Sequence, residues 1–175
     1  RDNALYIDDT NFGKAQFYQV DYSSFGRVVF HNNILTEIST SLVKWFTPTQ
    51  LENGIEESSL QIYKEAVESK DERRIANASL SLVATYRSRQ EIYRQLKYSS
   101  QKQGNTPESL EFQRHEMNYY RKIINIKKPR NWSEYLILWS NQSNDFGQNW
   151  LKPLRLLILF SLVSYLPIGF LTSNR

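Results

Sequence analysis

The residues able to do chemistry are few and scattered. The chain has no cysteine, which removes disulfides, thiolate metal sites and a cysteine nucleophile. Its two histidines, His31 and His115, lie far apart in sequence, too few for a zinc site of the usual kinds. His31, in Phe30-His31-Asn32-Asn33, reads as a repeat-turn residue, and His115, between Arg114 and Glu116, as a solvent-side helical one. The acidic run Glu52, Glu56, Glu57 reads as a solvated helix start rather than a metal site. Asp145-Phe146-Gly147 spells a kinase magnesium-binding triplet, but the glycine-rich loop, lysine strand and catalytic loop that would accompany it are missing. No pairing has a defined geometry. The expectation is a protein that is not an enzyme, with no catalytic residues, no metal and no cofactor.

What the chain does offer is positive charge beside aromatic rings. Arg121, Lys122, Lys127, Lys128 and Arg130 put five cations in ten residues, followed by Trp132, Trp139, Trp150, Lys152 and Arg155. Each cation near an anionic leaflet contributes about 1 kcal/mol of attraction, and tryptophan rings favour the headgroup level. These ten residues are the candidate membrane-surface site; a solvated helix end is the other reading of the cluster. The net charge of +4 is unevenly spread: residues 1–50 carry −1, 51–69 carry −4, 70–130 carry +8 and 131–175 carry +1. The basic 70–130 stretch also admits nucleic-acid binding, which would show as a steep salt dependence.

The elements that position these residues begin with a period that is neither helix nor strand. Ile7, Phe12, Phe17 and Tyr22 recur every fifth residue, each preceded two positions earlier by Leu5, Thr10, Ala15 and Val20. A second column continues as Phe25, Phe30 and Leu35 while the first turns polar at Arg27, Asn32 and Glu37. Two ordinary strands with a chance spacing are the plain alternative. Thr10-Asn11-Phe12-Gly13-Lys14, Ala15-Gln16-Phe17-Tyr18-Gln19 and Val20-Asp21-Tyr22-Ser23-Ser24 resemble tandem pentapeptide repeats. The resemblance implies a right-handed quadrilateral β-helix with four pentapeptides per coil. A lone coil cannot bury its faces. With no initiator methionine and no signal peptide at Arg1, the expectation is a piece of a longer polypeptide with repeats upstream, or another chain capping that end.

Helical pattern starts after Trp45-Phe46-Thr47-Pro48 and the turn Glu52-Asn53-Gly54. Leu60, Tyr63 and Val67 mark one short helix ending at Ser69. Ile75, Leu82, Tyr86, Tyr93 and Leu96 mark a longer one from Asp71 to Gln103, stopped by Gly104. Thr106-Pro107-Glu108 opens the next, with Thr106 as N-cap and Leu110, Met117, Tyr120 and Ile124 along it. The pair predicts an antiparallel hairpin, and Tyr93 to Tyr120 resembles one tetratricopeptide-type unit.

Beyond it, Trp132, Tyr135, Leu136 and Trp139 share a helix face, expected to lie along a membrane surface or to pack on the hairpin. Leu154 to Thr172 then runs 19 residues without charge after Arg155, enough at ~1.5 Å per residue to cross most of a ~30 Å hydrocarbon core. Cations before this run and only Arg175 after it would keep the N-terminal side in the cytoplasm. The order of parts is similar to bacterial membrane-associated pentapeptide-repeat proteins, on Tyr93-Arg94-Gln95-Leu96, Gln103-Gly104-Asn105, Phe112 to Met117 and Asp145 to Leu154. Some relatives carry a channel-like pore, but nothing here matches its filter.

The expected fold is thus a β-solenoid followed by an α-helical hairpin region, an interfacial amphipathic helix and a transmembrane helix. The expected divisions are 1–46, 47–70, 71–130, 131–149 and 150–175. The expected function is a non-catalytic, membrane-anchored cytoplasmic scaffold or protein-interaction module at the inner membrane. Its partners would be the lipid bilayer and other protein subunits, and it would form a homo-oligomer. The rival readings are the sensing or assembly region of an ion channel or transporter subunit, and nucleic-acid binding through the basic helices.

Overall fold

A computed structural model describes residues 3–51, 54–126, 132–143, 151, 154, 155 and 157–161. It divides into two compact units, residues 1–130 and 131–175.

The first unit begins with β1 (Ala4–Asp8), β2 (Gln16–Tyr18), a 3₁₀ turn at Tyr22–Ser24, β3 (Arg27–His31) and β4 (Ser39–Ser41). β1 pairs in parallel with β3, and β2 with β4. Isolated bridges join Asn11 to Ile34 and Asp21 to Lys44. Every one of these partners is 23 residues ahead of its mate, as in Ala4↔Arg27 and Gln16↔Ser39. Four pentapeptides per coil would have required an offset of 20.

The difference explains the broken column. Tyr22 does not hand its interior place to Arg27: the 3₁₀ turn at Tyr22–Ser24 lengthens the path, and the column resumes at Phe30, the partner of Ile7. Leu35 then stands 23 residues after Phe12, and Trp45 stacks on Tyr22 with ring centroids 5.4 Å apart. The turns between strands repeat too, with left-handed backbone at Asp9 and Asn32 and again at Gln19 and Leu42. Asn32 donates to the Asp9 carboxylate at 2.8 Å, which stitches one pair of turns together. Asn33 accepts from the Thr10 N–H and donates to the Ile7 carbonyl, doing the same inside.

The expected quadrilateral β-helix is therefore corrected. The described strands make two short two-stranded parallel sheets, at an offset that does not fit four pentapeptides per turn, in a fold whose larger part is helical.

Helices follow: α1 (Pro48–Leu51), α2 (Gly54–Ser69), α3 (Glu72–Lys102) and α4 (Thr106–Ile126). Asp71 caps α3 by accepting from the Arg73 and Arg74 N–H groups, satisfying two of the donors a helix start leaves over. At the other end Gly104 takes φ +75°, and the Asn105 N–H reaches back to the Ser100 carbonyl. Asn105, not Thr106, caps α4: its carbonyl accepts from the Ser109 N–H and its side chain from the Glu108 N–H.

One core serves strands and helices. Phe30, Leu35, Ile38 and Phe46 from the strand region pack with Leu82, Tyr93, Leu96, Phe112 and Ile123 from α3 and α4. Side chains of α3 and of its C-cap Gln103 also meet three backbone groups of the second strand pass. Gln95 accepts from the Leu35 N–H at 2.7 Å, Gln103 from the Thr40 N–H at 2.6 Å, and Ser99 donates to the Ile38 carbonyl at 2.7 Å. Buried backbone groups must find partners, and an uncovered strand edge would invite pairing with another chain. Two polar side chains on α3 and a third at its C-cap serve both needs at these groups.

In the second unit, α5 (Trp132–Ser143) leaves Trp132, Leu136 and Ile137 exposed while Leu138 is buried. Among the described residues no helix is long and apolar enough to cross a membrane. α3 and α4 have the length, but arginine, lysine and glutamate recur along both, whereas a span needs about 20 predominantly apolar residues. This corrects the expected transmembrane helix. It also removes the support for an inner-membrane location with a cytoplasmic N-terminal side. Most of Leu154–Thr172 lies outside the described residues; within it, Leu157, Ile158, Leu159 and Phe160 are exposed.

Candidate functional site

Of the ten residues singled out for a membrane surface, those the structure describes belong partly to the first unit and partly to the second. Lys127, Lys128, Arg130, Trp150 and Lys152 lie outside the described residues, as does the side chain of Trp139. Trp132 and Arg155 are exposed in the second unit. Arg121 and Lys122 are half-buried in the first.

Lys122 turns inward. Its Nζ lies 2.7 Å from Glu56 Oε1 on α2 and sits 4.5 Å from the Tyr119 ring centroid and 5.1 Å from that of Tyr86. Tyr119 Oη is 3.4 Å from the other Glu56 oxygen. Glu56 is only 6% exposed, so the ammonium beside it compensates a charge that burial would otherwise make costly. A carboxylate on α2, two rings on α3 and α4, and a cation on α4 thus lock three helices. Elsewhere in the 70–130 stretch Lys97 pairs with the nearly buried Glu116 at 2.6 Å, Arg94 with Glu91 and Arg74 with Asp71. Those cations answer carboxylates of the same fold rather than standing together on one basic face.

A large opening of the first unit lies between α2 and the start of α3. It is a groove of about 1080 Å³, lined by Tyr63 and Val67 on α2, by Ile75, Leu80 and Val83 on α3, and by Ile126 at the end of α4. Leu80 is 69% exposed and Val67 45%. Exposed apolar side chains are ordinary singly, but a contiguous set along a groove marks a contact surface. Lys70 and Glu72 stand at the junction of α2 and α3, and Arg87 about four turns further along α3.

Sequence spacing named Tyr63, Val67 and Ile75 only as marks of helical periodicity, and it passed over Leu80, Val83 and Ile126. A trace was present. Ala76, Leu80, Val83 and Arg87 stand at i, i+4, i+7 and i+11, a second stripe nearly opposite the buried stripe of Ala78, Leu82, Tyr86 and Arg89. A helix with two apolar faces has two neighbours to satisfy, and the described fold supplies one of them fully.

His115, expected on the solvent side, is half-buried and stacks on Tyr93 with centroids 5.0 Å apart. Burial, with Arg114 beside it, holds its pKa below the ordinary value. Among the described residues no group of three or more histidine, cysteine, aspartate or glutamate side chains is placed to hold a metal ion.

The pentapeptide-repeat resemblance is corrected on the same grounds as the β-helix, since the repeat frame breaks at the 3₁₀ turn and the strand offset is 23. In comparison with known proteins, the chain matches no family model, no curated protein and no solved structure.

Proposed function

We propose that this chain is a non-catalytic protein-interaction module that takes an amphipathic helix of a partner into the α2–α3 groove. The observation carrying this reading is the exposure of Leu80 inside a groove walled by further apolar side chains. From Glu72 to Arg87 the groove runs about 22 Å along α3, which suits four turns of helix at ~1.5 Å per residue. Its charges are Lys70 and Glu72 at one end and Arg87 at the other, a small positive excess that favours a partner with acidic ends.

The test is fluorescence anisotropy with two labelled four-turn helical peptides sharing one leucine face, one ending in glutamates and the other in lysines. The glutamate-ended peptide binds more tightly to the wild-type chain, and Leu80→Asp abolishes its binding while leaving the circular dichroism spectrum unchanged. Equal binding of the two peptides, or binding untouched by Leu80→Asp, overturns the reading. So does a wild-type dimer in sedimentation that Leu80→Asp dissociates, because the occupant is then a second copy.

A further inference from the structure

The first unit has a second opening, chemically unlike the groove and independent of it. A cleft of about 320 Å³ lies where the strand region meets α4, within the size range of small-molecule sites. Trp45, Phe46 and Phe112 supply aromatic wall, and Glu108, Glu111 and His115 supply the polar groups. The last three stand at i, i+3 and i+7 on α4, so one helix face delivers all of them.

The carboxylates differ in how they are held. Glu108 accepts from the Trp45 indole N–H at 2.6 Å, the Ser100 hydroxyl at 3.1 Å and the Asn105 amide at 2.9 Å. All three donors are neutral, so they fix the carboxylate in place without cancelling its charge. Glu111, one turn on, is exposed. Burial, with the Arg114 charge adding to it and Glu111 opposing, lowers the pKa of His115, and its ring stacks on Tyr93. The lining therefore combines two negative charges with aromatic surface. Coulomb attraction favours a cation there, the aromatic lining favours one that carries apolar carbon, and an anion is repelled.

We propose that this cleft binds an alkylammonium group, carried either by a free small amine or by a lysine side chain of a peptide. The glutamates supply the charge complement and Trp45, half-buried in the wall, the apolar contact for the carbon substituents. Glu108 serves as a positioning residue as well, since its bond to Trp45 joins the strand region to α4.

The test is a heteronuclear NMR titration of the 175-residue chain. It follows the Trp45 indole N–H, assigned by its loss in Trp45→Phe, and the His115 ring signals. The probes are choline, its neutral isostere with a tert-butyl group in place of trimethylammonium, and a short capped lysine peptide with its acetyl-lysine counterpart. Choline or the lysine peptide shifts both sets of signals saturably, and the neutral isostere and acetyl-lysine peptide do not. Saturation by choline identifies a free amine as sufficient; saturation by the lysine peptide alone identifies a protein side chain as the source. Glu111→Gln weakens binding about tenfold, whereas Glu57→Gln, removing one exposed carboxylate from α2, leaves it unchanged. Equal shifts from the neutral isostere, equal weakening by Glu57→Gln, or the lack of any saturable shift overturns the proposal.

Discussion

The two halves of α3 lie on one unbroken helix yet have different surroundings. From Ser88 onward the helix is covered on two sides and open on a third, where Tyr98 is exposed: Ile92, Tyr93, Leu96, Ser99 and Ser100 are all buried, with α4 on one side and the strand region on the other. Its polar residues there are employed as well, Gln95 and Ser99 bonding to the backbone of Leu35 and Ile38. From Glu72 to Arg87 the buried stripe narrows to Ala78, Leu82 and Tyr86, while Leu80 on the other face stands in the open groove. Leucines 16 positions apart thus have opposite fates, Leu96 at 1% exposure and Leu80 at 69%. The lesson concerns neighbours. A stretch whose large apolar side chains are covered by its neighbours contributes stability, and one whose neighbours leave Leu80 uncovered keeps a surface for something else.

Substitutions rank along this contrast. Leu96→Ala opens a cavity in the enclosed half and lowers stability by about 2–5 kcal/mol, read from urea denaturation midpoints; a loss below 1 kcal/mol would mean that this half is not closed. Lys122→Ala leaves Glu56 buried without its cation and costs about 3 kcal/mol, at the low end for a broken buried pair because Lys122 is partly exposed. Lys122→Ala combined with Glu56→Gln recovers most of that loss if the charge is what matters. Ser99→Ala costs about 1 kcal/mol, a modest figure because Gln103 also donates to the Ile38 carbonyl, at 3.1 Å.

His115 gives a pH-dependent effect of smaller size. Its pKa is depressed in the folded state, chiefly by burial, so the unfolded chain takes up the proton first and stability falls as pH drops below the ordinary value of about 6.5. His115→Asn flattens this part of the pH–stability profile; an unchanged slope would place the titration elsewhere. Least of all, Leu80→Ala shifts stability by no more than about 0.5 kcal/mol, as expected of a side chain already in contact with water. A loss comparable to that of Leu96→Ala would close the groove as a free surface.

Much of the helical part was legible in the residues themselves. Asp71 before an apolar-periodic run and Gly104 after it mark the ends of α3, and the caps are found there. The strand region was half legible. The five-residue columns were visible, but the three residues Tyr22–Ser24 that throw the second pass out of phase look in sequence like one more repeat. The reading saw the apolar column pass to Phe30 and Leu35, which the structure buries, but kept a five-residue frame through those three residues and so missed the offset of 23.

The sequence by itself determined what is local: where helices begin and end, which positions are spaced to share a face, and the lack of any thiol chemistry. Those features rest on interactions between residues a few positions apart, so a one-dimensional reading reaches them. The tertiary structure alone decided partnership. Lys122 faces inward because Glu56 stands 66 residues earlier on a neighbouring helix. Gln95 is a strand-edge acceptor because Leu35, 60 residues away, presents an N–H to it. Glu108 becomes the wall of a cleft because Trp45 reaches it across 63 residues. Charge and apolar spacing say that a side chain needs a partner, and only the packed fold says whether that partner lies within the chain or is left to another molecule.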